Sequence, residues 1–225
     1  MIKNISNLGD AALYCDFGNE ITKKINSEVI KYFKIIREKN IDGINNLTPS
    51  YNKLIISYDL KLTNFKRIKD KIENLEINEV KKINNKILEI PVCCDSSFSL
   101  DMERLKKKLN LNEEKILENF FNKEYFCYMT GFIAGMPFLG DLDKNMRTQR
   151  LETPRVKVPR GSVGLTEQFA NIYTFESPGG WNIIGNTPLD IFDSTKENKP
   201  NLIDPGDTVV FKQITLDKYN NYNDQ

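Results

Sequence analysis

Hydrophobic and polar positions alternate from Ala11 to Phe17: Leu13, Cys15 and Phe17 face one way, Tyr14 and Asp16 the other. That is the period of a strand, and Gly18 closes it. The period then lengthens. Ile21, Ile25, Val29, Ile30, Phe33 and Ile36 recur at helical spacing and predict a helix over 21–39, broken by Gly43. Ile44–Leu47 and Tyr51–Tyr58 read as two strands interrupted at Pro49, and Phe65–Leu75 as an amphipathic helix presenting Ile68, Ile72 and Leu75. A β-α-β-β-α order predicts a small sheet with its helices on one face.

Asn84, Asn85 and Lys86 read as a linker, and LEIPVCC beyond them as a strand. Asp101 is placed to cap a helix over Met102–Leu109, and Asn112 one over Glu113–Phe121. From Tyr125 onward strands dominate: 125–130, 156–158, 162–165, 171–175, 181–186 and 207–214. Short strands separated by Gly/Pro turns predict a barrel or a sandwich. The end, LDKYNNYNDQ, reads as a polar, frayed tail. The expected organisation is a small α+β domain over 1–86, a β-rich domain over 87–218 and a tail over 219–225.

Composition narrows the chemistry. In 225 residues, 32 Lys and Arg balance 31 Asp and Glu, so no charge excess draws the chain to nucleic acid or an anionic membrane. No run of about 18 apolar residues spans a bilayer. The opening MIKNISNLGD lacks a signal peptide's apolar region, so the expected location is cytoplasmic. Four cysteines, Cys15, Cys93, Cys94 and Cys127, show no CxxC spacing and read as buried thiols. The chain contains no histidine. Ser-His and Cys-His hydrolysis and His-ligated metal sites are therefore excluded for this polypeptide acting alone.

The densest constraint on the backbone lies between Gly131 and Thr187, which opens with GFIAGMPFLGDL and closes with SPGGWNIIGNTP. Glycine permits positive φ and close approach, and proline fixes φ, so such a region shapes a pocket or an interface. Neither glycine-rich run has the GxxxxGK[ST] spacing or the following helix of a phosphate loop. Arg150 and Arg155 lie between them, and a guanidinium makes forked contacts to carboxylate or phosphate. Arg147 and Arg160 are equally readable as surface ion pairs. Ser162, Ser177 and Thr187 supply hydroxyls, and Asp141, Asp143, Glu167 and Glu176 are acid or base candidates if buried near the arginines.

The order GFxxGxPxLGxL, R-x4-R, VPxGSVGL, IY, SPGGWxIIGNTPLxxFD and PGDxVxF, running from Glu89 to Phe211, resembles the KipI / allophanate-hydrolase-subunit-1 family. That family includes the B component (PxpB) of bacterial ATP-dependent 5-oxoprolinase and the carboxyltransferase region of urea carboxylase. The resemblance implies an α+β fold, with a small N-terminal α/β sandwich domain followed by a cyclophilin-like β-barrel domain. It implies a KipA/PxpC-type partner subunit, a further LamB/PxpA-type subunit, and a lactam or amide substrate. ATP is spent by the complex, and the chain is not expected to act alone. Two other family roles are a KipI-type inhibitor of a sensor histidine kinase and the carboxyltransferase half of a biotin-dependent, urea carboxylase-like enzyme. On the leading reading Arg150 and Arg155 are catalytic. Gly131, Phe132, Gly135, Pro159, Gly161, Ser162, Gly179, Gly180, Trp181 and Thr187 shape the substrate site, and no metal is expected.

The sequence departs from the family's usual pattern inside these motifs. Phe120 stands where members commonly carry a histidine. Ala134, Met136 and Phe138 alter GFxPGFxYL, and Arg160 replaces the alanine of VPAGSVGI. Ala170 and Asn171 replace Thr-Gly before Ile-Tyr, and Asn186 replaces a basic or imidazole side chain. The expectation is a retained fold with a retuned pocket.

Overall fold

The computed structural model describes residues 1–77, 85–196 and 199–222. The chain divides into two compact units, Met1–Asn84 and Asn85–Gln225. Of the expected linker, Asn84 lies outside the described residues, while Asn85 and Lys86 lead into the strand Ile87–Cys93.

In the first unit β1 (Asn4–Asn7), β2 (Ala12–Asp16), β3 (Ile44–Pro49) and β4 (Lys53–Tyr58) form an antiparallel sheet in the order β1-β2-β4-β3. Its apolar side is covered by α1 (Lys23–Lys39) and α2 (Phe65–Glu73), which bury Val29, Ile36, Ile68 and Ile72 against Leu13, Leu54 and Ile56. Thr22 caps α1 by accepting the Ile25 N–H at 3.3 Å, and Asn40 ends it at φ 43°. Asn26, fully buried inside α1, donates to the Ser50 and Tyr51 carbonyls at 3.0 and 2.8 Å. It thereby ties the helix to the β3–β4 turn. The sequence pattern missed β1, whose four residues are too few to show alternation.

The second unit is a closed seven-stranded barrel. Its strands are β5 (Ile87–Cys93), β6 (Glu124–Thr130), β7 (Pro137–Gly140), β9 (Ser162–Thr166), β10 (Phe169–Ile172), β12 (Asn182–Asn186) and β13 (Thr208–Ile214). The order round the barrel is β10-β7-β6-β13-β5-β12-β9, and β10 pairs β9 to close it. Only β5 and β13 run parallel among these pairs, with Ile87 opposite Thr208 and Cys93 opposite Ile214. Two further strands, β8 (Arg155–Val158) and β11 (Ser177–Gly179), pair with each other as a separate ribbon.

Ile90, Val92, Val163, Leu165, Ile172 and Val209 belong to the barrel core, and α4 (Glu113–Phe121) adds Ile116 and Phe120. Phe120 stacks on Phe211 at 4.9 Å, and Tyr125 donates to the Phe120 carbonyl at 2.9 Å. Phe120 is thus part of the aromatic packing of the core.

Three expectations are corrected. The strand expected at 171–175 is β10 at Phe169–Ile172. A tight turn with Glu167 at φ 47° lets the chain reverse from β9 early, and Tyr173 already leaves the ladder. The segment 131–142, read only as turns, contains β7. The expected frayed tail includes α5 (Leu216–Asn220), whose Tyr219 donates to Asn186 Oδ1 at 2.8 Å and packs on Phe98 at 4.5 Å. Residues 223–225 of that tail lie outside the described residues.

Candidate functional site

Asp101 stands at the N-terminus of α3 (Met102–Leu109), but its carboxylate does not cap the helix. Only 5 % exposed, it accepts both ends of the Arg155 guanidinium, at 3.0 and 2.7 Å, and the Ile183 N–H at 2.7 Å. One turn on, Arg104 donates to Asn182 Oδ1 at 2.7 Å, and the Asn182 amide donates to the Gln149 and Leu165 carbonyls at 3.1 and 3.0 Å. The Leu151 N–H donates to the Gly180 carbonyl at 2.6 Å. Residues 149–154, irregular in themselves, are thereby laced to α3, β9 and β12. The two sequence-predicted arginines consequently differ. Arg155 has its fork filled by Asp101, whereas the exposed Arg150 side chain meets no hydrogen-bonding or ionic partner among the described residues.

Both arginines act on one phenol. Tyr173 follows β10 directly and is 1 % exposed. Burial pushes its pKa up. The Asn171 side chain, the Trp181 backbone and the Arg150 and Arg155 charges all work in the opposite direction. Gly179 crosses it so closely that an added Cβ would overlap the Tyr173 hydroxyl. Tyr173 also fixes its surroundings through its backbone: its carbonyl accepts the Gly161 N–H at 2.8 Å, and its N–H donates to the Ser162 carbonyl at 2.9 Å. The Thr187 N–H donates to the Gly161 carbonyl at 2.9 Å. Gly161, Ser162, Gly179 and Trp181 therefore meet Tyr173, mostly through the main chain; Thr187 and Pro159 follow at one remove through Gly161 and Ser162, and Gly180 binds Leu151 instead.

The loop before β7 joins them through Thr174, which donates to the Ala134 carbonyl at 2.7 Å. Gly131 closes that loop by donating to the Met136 carbonyl at 3.0 Å. Gly135, at φ 71°, lies against Phe192, and Phe132 is held at φ 70° with 73 % of its surface exposed.

The candidate carboxylates sit elsewhere. Asp141 accepts the Tyr128 hydroxyl at 2.9 Å, Asp143 pairs with Lys123 at 2.5 Å, and Glu176 pairs with Lys157 at 2.9 Å on the surface. Arg160 is paired with Asp190, and Arg147 donates to the Leu142 carbonyl at 3.0 Å. Sequence reasoning passed over Arg104, gave Asp101 only a capping role, and met Tyr173 and Asn171 only within the family motifs, without a role in the site.

Strand alternation puts this site on the outer face of the barrel wall. Ala170 and Ile172 point into the core, and Asn171 alternates to the other side, opposite Phe138 on β7 and Gly164 on β9. Trp181 packs edge-on against Phe138 at 5.6 Å. Both glycine-rich runs lead into strands, β7 and β12, so neither aims a helix N-terminus at a phosphate. Among the described residues no group of three or more His, Cys, Asp or Glu could hold a metal ion, and no helix is long and apolar enough to cross a membrane.

The fold matches those of solved structures. It superimposes on the solved structure of TTHA0988 with a TM-score of 0.81 at 27% identity, covering 90% of this chain and 40% of that one. The Kluyveromyces lactis urea carboxylase matches with a TM-score of 0.78 at 18% identity, covering 96% of this chain and 22% of that protein, a likeness of fold alone. A family description, carboxyltransferase domain, subdomain C and D, matches residues 3–203, and the chain belongs to that family. It is 34% identical to the 5-oxoprolinase B component of Bacillus subtilis (strain 168) over 233 aligned residues, 98% of this chain and 97% of that one.

Proposed function

We propose that this chain is the B-type component of an ATP-dependent, 5-oxoprolinase-like complex that cleaves the C–N bond of a small lactam or amide. The end-to-end match with the Bacillus subtilis 5-oxoprolinase component carries the reading. The site agrees with it in one respect: Arg150 offers an open fork to a substrate carboxylate, beside a glycine turn and a buried phenol. Arg155, held by Asp101, positions the segment that carries Arg150 and adds positive potential. The Gly179–Gly180 backbone is the candidate donor to a developing oxyanion, since the Gly131 N–H is already spent on Met136.

The reaction needs a KipA/PxpC-type subunit, because a histidine-free site with one free guanidinium lacks a full set of proton-transfer groups. A LamB/PxpA-type subunit completes the complex, and ATP is spent by the assembly, in the cytoplasm. The test is co-expression with both partner subunits and an assay of ATP-dependent glutamate release from 5-oxoproline. Turnover is expected from the assembly and not from the separate chain. An assembled complex that opens neither 5-oxoproline nor any other small lactam or urea overturns the assignment.

A further inference from the structure

Two of the departures from the family pattern touch each other. Asn171, fully buried, directs its amide nitrogen at the Met136 sulfur, 3.9 Å away. A thioether can only accept, so the –NH2 faces Met136 and the carbonyl oxygen faces the other way. There it occupies the space left by the missing side chain of Gly164, whose added Cβ would lie 2.8 Å from Oδ1. Oδ1 finds no hydrogen-bond donor among the described residues. A buried acceptor left empty is costly and rare, and it calls for an occupant with an N–H.

A second buried oxygen in the same condition, Ser177 Oγ, lies on β11, in the ribbon that crosses Tyr173. That ribbon has only two strands, stands outside the barrel ladder, and shifts register between Ser177 and Gly179. Arg155 holds its β8 strand to Asp101, so β11 is the strand that has to shift to admit a ligand.

We propose that Asn171 is a specificity-determining residue of this site, its Oδ1 accepting the N–H of a small lactam or amide that binds beneath the β8–β11 ribbon. The inference rests on the proposed function for the class of substrate, and adds to it the residue that reads the substrate's N–H. In it the Tyr173 phenol, beside Asn171, lies next to the bound ligand, and Arg150 takes a carboxylate where the ligand has one.

The chain's one tryptophan, Trp181, lies against Gly164 and over the site, so its fluorescence reports on this place alone. The full-length chain is titrated with 2-pyrrolidone and with γ-butyrolactone, rings of one size in which the N–H is replaced by oxygen. A saturable change with the lactam and about tenfold weaker response to the lactone are expected, the difference a single hydrogen bond makes. Asn171→Ala, checked for folding by circular dichroism, is expected to respond to both rings equally weakly. Equal responses of the natural chain to the two rings, no response to either, or undiminished lactam selectivity in Asn171→Ala overturns the proposal. Glutamate release by the assembled complex is measured in parallel. A complex active on 5-oxoproline whose Asn171-bearing chain fails the ring test sinks Asn171 alone, and an inactive complex whose Asn171-bearing chain is lactam-selective sinks the proposed reaction instead.

Discussion

Asp101 and Arg155 form a two-pronged ion pair in which the carboxylate is 5 % exposed and the guanidinium side chain 28 %. Because Asp101 also accepts the Ile183 N–H, the pair fixes β8 and β12 to the start of α3 at once. Removing the arginine strands a buried negative charge, which costs more than the pair itself contributes. Arg155→Ala is expected to lose about 2–4 kcal/mol, the upper end trimmed by the arginine's partial exposure. In a double-mutant cycle with Asp101→Ala, measured by urea unfolding, the double variant should be far less destabilised than the sum of the singles. Strict additivity would show that the two side chains do not couple.

Arg150 is expected to behave in the opposite way. Its exposed side chain holds nothing in place, so Arg150→Ala should change stability by no more than about 0.5 kcal/mol. In the assembled complex the same variant should raise KM for a carboxylate-bearing substrate about ten- to hundredfold, the loss of a charge-assisted contact. Unchanged kinetics would remove Arg150 from the substrate site.

Gly179→Ala tests how closely the ribbon lies on the phenol. The new methyl group overlaps the Tyr173 hydroxyl and meets ring carbons at 2.7–2.8 Å, and the core behind the ring leaves it no room to retreat. A loss of roughly 1–3 kcal/mol is expected. Tyr173→Phe in the same chain should restore part of it by removing the nearest atom. Thermal unfolding of the three variants decides, and no partial rescue would place the clash elsewhere.

In the first unit, Asp16 is held below the usual carboxylate pKa, chiefly by its hydrogen bond from Lys53 at 2.5 Å, against a smaller effect of burial. The sign follows. A depressed carboxyl contributes stability above its unfolded value, near pH 4, and loses it as pH falls through the depressed one. Melting temperature should therefore fall less steeply below about pH 4 in Asp16→Asn than in the natural chain. Parallel curves would dismiss the contribution.

Much of this architecture was legible where the apolar period is long. The helix over 23–39, the strand over 53–58 and the glycine scaffold from Gly131 to Thr187 were all visible, because repeated side-chain types carry the signal. The site's polar wiring was not. Asp101 occupies a capping position, and local pattern assigned it a local role, yet its partner lies on a distant strand. The departures from the family pattern were visible singly and meaningful only in pairs. Met136 meets Asn171, and Asn186 donates to the Arg160 carbonyl at 2.8 Å while accepting the Tyr219 hydroxyl. That last contact turned an expected loose end into a docked helix, so Tyr219→Phe should cost about 1 kcal/mol in urea unfolding. A variant indistinguishable from the natural chain would return α5 to the status of a free end.

The parallel pairing of β5 with β13 sets the timetable of assembly. Thr208 to Ile214 must find Ile87 to Cys93 after every other stave has been made, so synthesis leaves the cylinder open until its last strand emerges. The N-terminal sheet, whose last strand ends at Tyr58, carries no such wait and is ready first.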